Sequence, residues 1–156
     1  MGAKALGGVL LLAAALLWGI LRIAALRRSL SLAAGYLALL RHIRAQIEGL
    51  AMPIGAIFAT ADTRLLAACG KPHARDLGEL LEASGAQLAP AVRAQLSEFA
   101  STLGTTQRAE QLRVCDGAIA RLEPLLAAAR ADAPRRERLL LLLPPLGVGL
   151  IFLLLL

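Results

Sequence analysis

Two uncharged apolar runs bracket a middle stretch in which apolar residues return with helical period. Residues 5–21 (ALGGVLLLAAALLWGIL) and residues 139–156 (LLLLLPPLGVGLIFLLLL) carry no charge, and every acidic residue lies between them. In the middle, Leu30, Ala33, Leu37, Leu40 and Ile47 recur at three- and four-residue spacing. That pattern predicts a long helix over 26–49, continuing from the first apolar run. Gly35 reads as its weak point, costing up to ~1 kcal/mol relative to Ala. The residue before a proline avoids helical angles, so Met52-Pro53 ends this helix and Pro53 opens a short one over 54–61. Asp62 can cap the next, TRLLAAC, and Gly70 can close it in the left-handed conformation. A turn at Lys71-Pro72 leads to a helix over 73–84 carrying Leu77, Leu80 and Leu81. Another over 90–103 opens with Pro90 and aligns Val92, Leu96, Phe99 and Leu103. After Gly104 a last helix, capped by Thr105 or Thr106, carries the stripe Leu112, Cys115, Ile119, Leu122 and Leu126, with a kink expected at Pro124. Nothing alternates like a strand. The expected fold is all-α, a compact bundle of about six helices between an N-terminal and a C-terminal transmembrane helix. The expected domains are residues 1–26 (transmembrane helix and basic flank), 27–138 (helical bundle) and 139–156 (second transmembrane helix).

Length and composition support the two spans. A helix rises about 1.5 Å per residue against a hydrocarbon core of roughly 30 Å, so each run is short but sufficient. Lys4 and Arg22 can snorkel at the ends of the first. The second holds eleven Leu with Val148, Ile151 and Phe152, which favour insertion by about 4 to 8 kcal/mol at mid-membrane. Pro144, Pro145, Gly147 and Gly149 oppose this, and a kink rather than a break is expected near Pro144. The alternative for the first run is a cleaved signal peptide, but it continues into RIAALRRS without a small-x-small cleavage site. Ala15 and Gly19, one turn apart, permit close helix contact.

The net charge of +6 changes meaning once located. Arg22, Arg27 and Arg28 follow the first run; Arg130, Arg135, Arg136 and Arg138 precede the second. Residues 29–129 hold nine basic and nine acidic side chains. A nucleic-acid binder carries its basic stripe on the folded domain, whereas arginines at both apolar borders fit the positive-inside pattern and suit anionic headgroups. The middle domain is therefore expected in the cytoplasm, with membrane and not nucleic acid as partner. Cys69 and Cys115 fall on apolar helix faces as free buried thiols. His42 and His73 have no companions at metal-ligand spacing and read as surface residues. No nucleophile elbow or phosphate loop is present, and Glu79 and Glu82 read as an outer charged face. No ionisable residue lies inside either run, so neither is an ion path by itself. An enzyme is not expected, nor a cofactor, a metal or a small-molecule substrate.

Three stretches carry a resemblance. IRAQIEGLAMPIGAIF (43–58) resembles a helix ending in acid-Ile followed by Thr-Pro-Leu, matching at Ile47, Pro53 and Ile54. LGTTQRAEQLR (103–113) resembles Leu-Gly-x-Ser/Thr-Asp-x-x-x-Gln, matching at Leu103, Gly104, Thr106 and Gln111. RRERLLLLLPPLGVGLIFLLLL (135–156) is similar to a basic lead-in to a Leu-Gly-containing membrane helix. In this order they resemble the stage III sporulation protein AB family of endospore-forming bacteria, whose helical domain is similar to the cytoplasmic domains of type II secretion platform proteins. The likeness covers essentially the whole chain and rests on arrangement, since no single motif is specific. Gln46 and Gln107 stand where acids are usual, Gly49 where an aromatic is common and Met52 where Thr is expected.

The resemblance implies a non-enzymatic platform component of a secretion-like assembly between mother cell and forespore, needed for spore formation. Its place would be the mother-cell membrane surrounding the forespore, and its partners the assembly's cytoplasmic ATPase and neighbouring membrane subunits. Pro53 with Ile54 would set the first turn and Leu103, Gly104 and Thr106 the last. Gln46, Gln107 and Gln111 would bond backbone near those turns or face a partner, the backbone role being preferred. The alternative is a generic membrane-anchored helical scaffold unrelated to sporulation.

Overall fold

The computed structural model describes residues 2–50, 52–105 and 107–154. Among them every regular element is helical: α1 (Gly2–Leu50), α2 (Ile54–Thr60), α3 (Thr63–Ala68), α4 (Leu77–Ser84), a single 3-10 turn (Gly85–Gln87), α5 (Pro90–Thr102) and α6 (Arg108–Leu154). The all-helical architecture with a long apolar first helix is as expected. The expected membrane helices are not separate elements, because the first and last bundle helices contain them. The chain forms two compact units, Met1–Arg27 with Arg130–Leu156 (unit 1), and Arg28–Ala129 (unit 2). Residues 130–138 thus group with the apolar runs, whereas charge patterning alone assigns them to the bundle.

Unit 2 is a packed bundle. α1 contributes its core face through Leu32, Ala33, Tyr36, Leu37, Leu39, Leu40, Ile43 and Ile47, all buried. This arc is wider than the expected stripe; Tyr36, Leu39 and Ile43 join it because several helices surround α1. α2 adds Ile57 and Phe58, α4 Leu77 and Leu80, α5 Val92, Leu96 and Phe99, and α6 Cys115, Ala118, Leu122 and Leu126. One polar pair sits inside. The Ser84 hydroxyl donates to the Leu80 carbonyl at 3.0 Å and accepts from the Tyr36 hydroxyl at 2.7 Å. Burial pushes the Tyr36 phenol up to about 12, against the opposing effect of its bond to Ser84.

Local signals set the boundaries. Pro53 stands just before α2 with extended angles. The Asp62 carboxylate accepts from Arg64 N at 2.8 Å and caps α3. At its far end Gly70 adopts φ +105, with Gly70 N donating to the Ala67 carbonyl and Lys71 N to that of Leu66, a Schellman closure. α4 begins at Leu77 rather than near His73. Asp76 caps it by accepting from Glu79 N at 2.8 Å, while the Glu79 carboxylate accepts from Arg75 N at 2.8 Å and from Lys71. These bonds hold the preceding residues in a turn. The Lys71 and Arg75 donors also keep the Glu79 carboxyl below the usual carboxylate range. α6 begins at Arg108, later than a Thr105 or Thr106 cap implies. Thr105 instead donates its hydroxyl to Thr102 O at 2.9 Å, and Thr106 lies outside the described residues. The helix runs unbroken through Pro124, Pro144 and Pro145.

Gly35 corrects an expectation. A Cβ there would lie 2.5 Å from the Ala68 carbonyl oxygen, so this glycine permits close backbone approach to the end of α3 and is no weak point.

Unit 1 is a helix pair. Among the described residues its less exposed positions are Gly8, Ala15, Gly19, Ile23 and Leu26 on α1, and Ala133, Glu137, Leu140, Pro144, Pro145 and Val148 on α6. These recur mostly every three or four residues, as paired helices require. At Gly19 the backbones come close, a Cβ there standing 2.7 Å from the Leu140 carbonyl oxygen. Pro144 has no N–H, so the Leu140 carbonyl lacks its helical donor four residues on.

Candidate functional site

Two surfaces hold the residues singled out in the sequence. The first is the apolar face of unit 1. The most apolar eighteen-residue stretch of α1 has mean hydropathy 2.4, and 6% of it is buried. Val9, Leu10, Leu11, Leu17, Trp18, Ile20 and Leu21 each expose half or more of their surface. Burying one such side chain is worth about 1.5–3 kcal/mol, so leaving this array in water is costly. α1 is therefore long and apolar enough to cross a bilayer. On α6 the expected second span rests partly on residues 151–156, whose side chains lie outside the described residues. Within 139–150, Leu142, Leu143, Leu146 and Leu150 are each more than half exposed.

The arginines bordering this face do not all behave alike. Arg27 donates through Nε and Nη2 to both Glu137 carboxylate oxygens, each at 2.8 Å. This planar fork clasps the two helices of unit 1. Its hydrogen bonds and charge hold the Arg27 pKa up and the Glu137 carboxyl below its ordinary range. Arg27 thus bridges the two helices of unit 1 while most of its side chain stays exposed. Arg22 lies 5.1 Å from the centroid of the Trp18 ring, a cation–π contact. Arg136 stands 3.9 Å from Asp132 on the same helix. Arg130, Arg135 and Arg138 in unit 1, and Arg28 in unit 2, are exposed and have no ion-pair partner among the described residues.

The second surface joins two turns of unit 2. Ile47 is buried near the end of α1, and Ile54 at the start of α2 packs on the core. Gly104 follows α5 with φ +87, and a Cβ there would stand 3.1 Å from Ile54 Cδ1. Leu103 packs against the same core. The Arg108 guanidinium donates to the Ile47 carbonyl at 3.0 Å and to that of Glu48, satisfying groups that a helix end leaves bare. The structure therefore brings together Ile47, Ile54, Leu103 and Gly104, although they come from stretches some fifty residues apart. Pro53 is exposed beside them. Sequence reasoning missed Arg108, whose only local signal is its place just after the final turn.

The glutamines are less uniform. Gln46 is half-buried and Gln107 exposed, and neither side chain is hydrogen-bonded among the described residues, so the preferred backbone role does not hold for these two. Gln107 acts through its carbonyl, which accepts from Gln111 N at 2.9 Å. Gln111 is half-buried on the first turn of α6.

Cys69 and Cys115 are free and fully buried. Desolvation pushes their thiols up to about 12 and about 11, the Asp116 charge adding to the second. His73 is exposed and His42 half-buried. Among the described residues no group of three or more His, Cys, Asp and Glu side chains is placed to hold a metal ion. Between α5 and α6 an open cavity of about 220 Å³ has Glu98 and Arg121 on its rim, 3.5 Å apart.

No family model, no curated protein and no solved structure matches this chain.

Proposed function

We propose that this chain is a non-enzymatic membrane adaptor: a hairpin of two spans, 5–21 and 139–156, holding a helical bundle on the cytoplasmic side. One observation carries this reading, the dense array of exposed apolar side chains in unit 1 with unpaired arginines at its borders. Exposed apolar area of this kind marks a membrane or partner surface, and arginines beside it favour the cytoplasmic face. The resemblance extends the reading to a platform component of the sporulation secretion-like assembly, in the mother-cell membrane around the forespore, with a cytoplasmic ATPase and membrane subunits as partners. The meeting of the two turns that carry the resemblance supports that extension, because residues matched separately in sequence belong to one surface.

The test is purification of the full chain in mild detergent from sporulating cells, with the secretion-type ATPase probed in the eluate. Recovery that depends on nucleotide state is the expected result. Absence of the ATPase under every nucleotide condition would leave the broader reading, a membrane-anchored scaffold outside sporulation.

A further inference from the structure

Unit 1 carries an open groove of about 510 Å³ lined by Arg22, Arg136, Trp18, Leu26, Leu139 and Leu140. Its residues come from the points where each apolar run meets charge: Leu21 is followed by Arg22, and Arg138 by Leu139. Cationic and apolar chemistry therefore share one recess at the depth expected for headgroups. Arg22 rests against the Trp18 ring at 5.1 Å. That contact holds the guanidinium near the groove without using its hydrogen-bond donors. Arg136 has one weak tie, to Asp132 at 3.9 Å, with both side chains more than 60% exposed. Glu137, the other acid of this segment, is already engaged by Arg27. Two guanidinium groups thus face one loosely held carboxylate, and the recess keeps a net positive charge.

We propose that this groove binds one anionic phospholipid, its phosphate received by Arg22 and Arg136 and its acyl chain lying against Trp18, Leu139 and Leu140. The proposal rests on the reading of residues 5–21 as a membrane span. A free phosphate would use the arginines and leave the apolar lining exposed; a lipid satisfies both. A zwitterionic headgroup brings its own cation beside the phosphate and gains less. The recess also falls within the usual volume range of ligand pockets. Bound lipid would tie the two helices of unit 1 together on a side that the Arg27–Glu137 clasp does not serve.

Trp18 is the protein's single tryptophan, so its fluorescence reports on this groove alone. The full chain is reconstituted into phosphatidylcholine vesicles doped with small amounts of either brominated phosphatidylglycerol or brominated phosphatidylcholine. Bromine quenches only on contact. The expected result is roughly thirtyfold preferential quenching by the anionic lipid, the order of magnitude that two arginines near a bilayer surface supply. Replacing both arginines (Arg22→Gln with Arg136→Gln) should bring the ratio close to one. Replacing Arg130 and Arg135 by Gln removes the same charge elsewhere on unit 1 and should leave most of the preference. Equal quenching of the natural chain by both lipids overturns the lipid site while leaving the span intact. Equal loss in the two double variants overturns it in favour of diffuse attraction. Relief of quenching by excess soluble glycerol phosphate assigns the arginines to a free phosphate and overturns it too. Quenching by neither lipid overturns the span itself, and the site with it.

Discussion

Leucine is used in two opposite ways by the two units. In unit 2, Leu40, Leu80 and Leu96 are completely buried; in unit 1, Leu10, Leu142 and Leu146 expose 60% or more of their surface. Unit 2 keeps its apolar atoms inside and a nearly even balance of charges outside. Unit 1 is a helix pair of small and half-buried residues, with most of its leucines exposed. Between helices in lipid, apolar burial supplies no driving force, so small residues and polar clasps hold the contact. In the proposed two-span hairpin, Gly19 against the Leu140 carbonyl and Arg27 on Glu137 would fill those two roles. The same residue type therefore reports a core in one unit and a solvent boundary in the other.

The sharpest way to break this contrast is to truncate one leucine of each kind. Leu40→Ala should destabilise the detergent-solubilised chain by about 2–5 kcal/mol, the cost of a core cavity. Leu142→Ala should change the same unfolding free energy by less than ~0.5 kcal/mol. Comparable losses from both would mean that unit 1 hides its leucines after all.

A second contrast separates two helical glycines of unit 2. Gly35→Ala drives a methyl into the Ala68 carbonyl and should cost about 1–3 kcal/mol. Gly117 has nothing within 4 Å of a Cβ, so Gly117→Ala should stabilise by about 0.5–1 kcal/mol through helix propensity. Denaturant unfolding of the two variants settles the signs, and stabilisation by Gly35→Ala would contradict the close approach.

The smallest effect concerns the buried thiols. Modification of Cys69 and Cys115 at pH 8 should be roughly 100-fold or more slower in the folded chain than in denaturant, since only thiolate reacts. A raised folded pKa contributes stability that is whole below the unfolded thiol's pKa of about 8.5 and is lost above it. Stability should accordingly decline as pH rises from there toward 11 and 12, with Tyr36 adding to the decline above about 10. A Cys69→Ala, Cys115→Ala chain should show a shallower slope. Rapid labelling of the folded protein would show that unit 2 opens readily.

What the sequence disclosed was mostly local chemistry. The Asp62 cap, the Gly70 closure and the Pro90 start depend on neighbours within one turn, so spacing alone predicts them. The width of the α1 core face was not legible, because Tyr36, Leu39 and Ile43 are buried by helices distant in the chain. Gly35 was misread for the same reason: a helix penalty is local, and the Ala68 carbonyl that makes glycine necessary is not. The late start of α4 came from competition, Asp76 and Glu79 together capping a later residue than the proline suggested. Arg27 read as one more border charge until Glu137, more than a hundred residues on, claimed it.

Extraction of the full-length chain from native membranes with alkaline carbonate tests the central claim most directly, since it removes peripheral proteins and leaves spanning ones whatever the state of the bundle. The account predicts that the intact polypeptide stays with the bilayer. Intact polypeptide in the wash would contradict it.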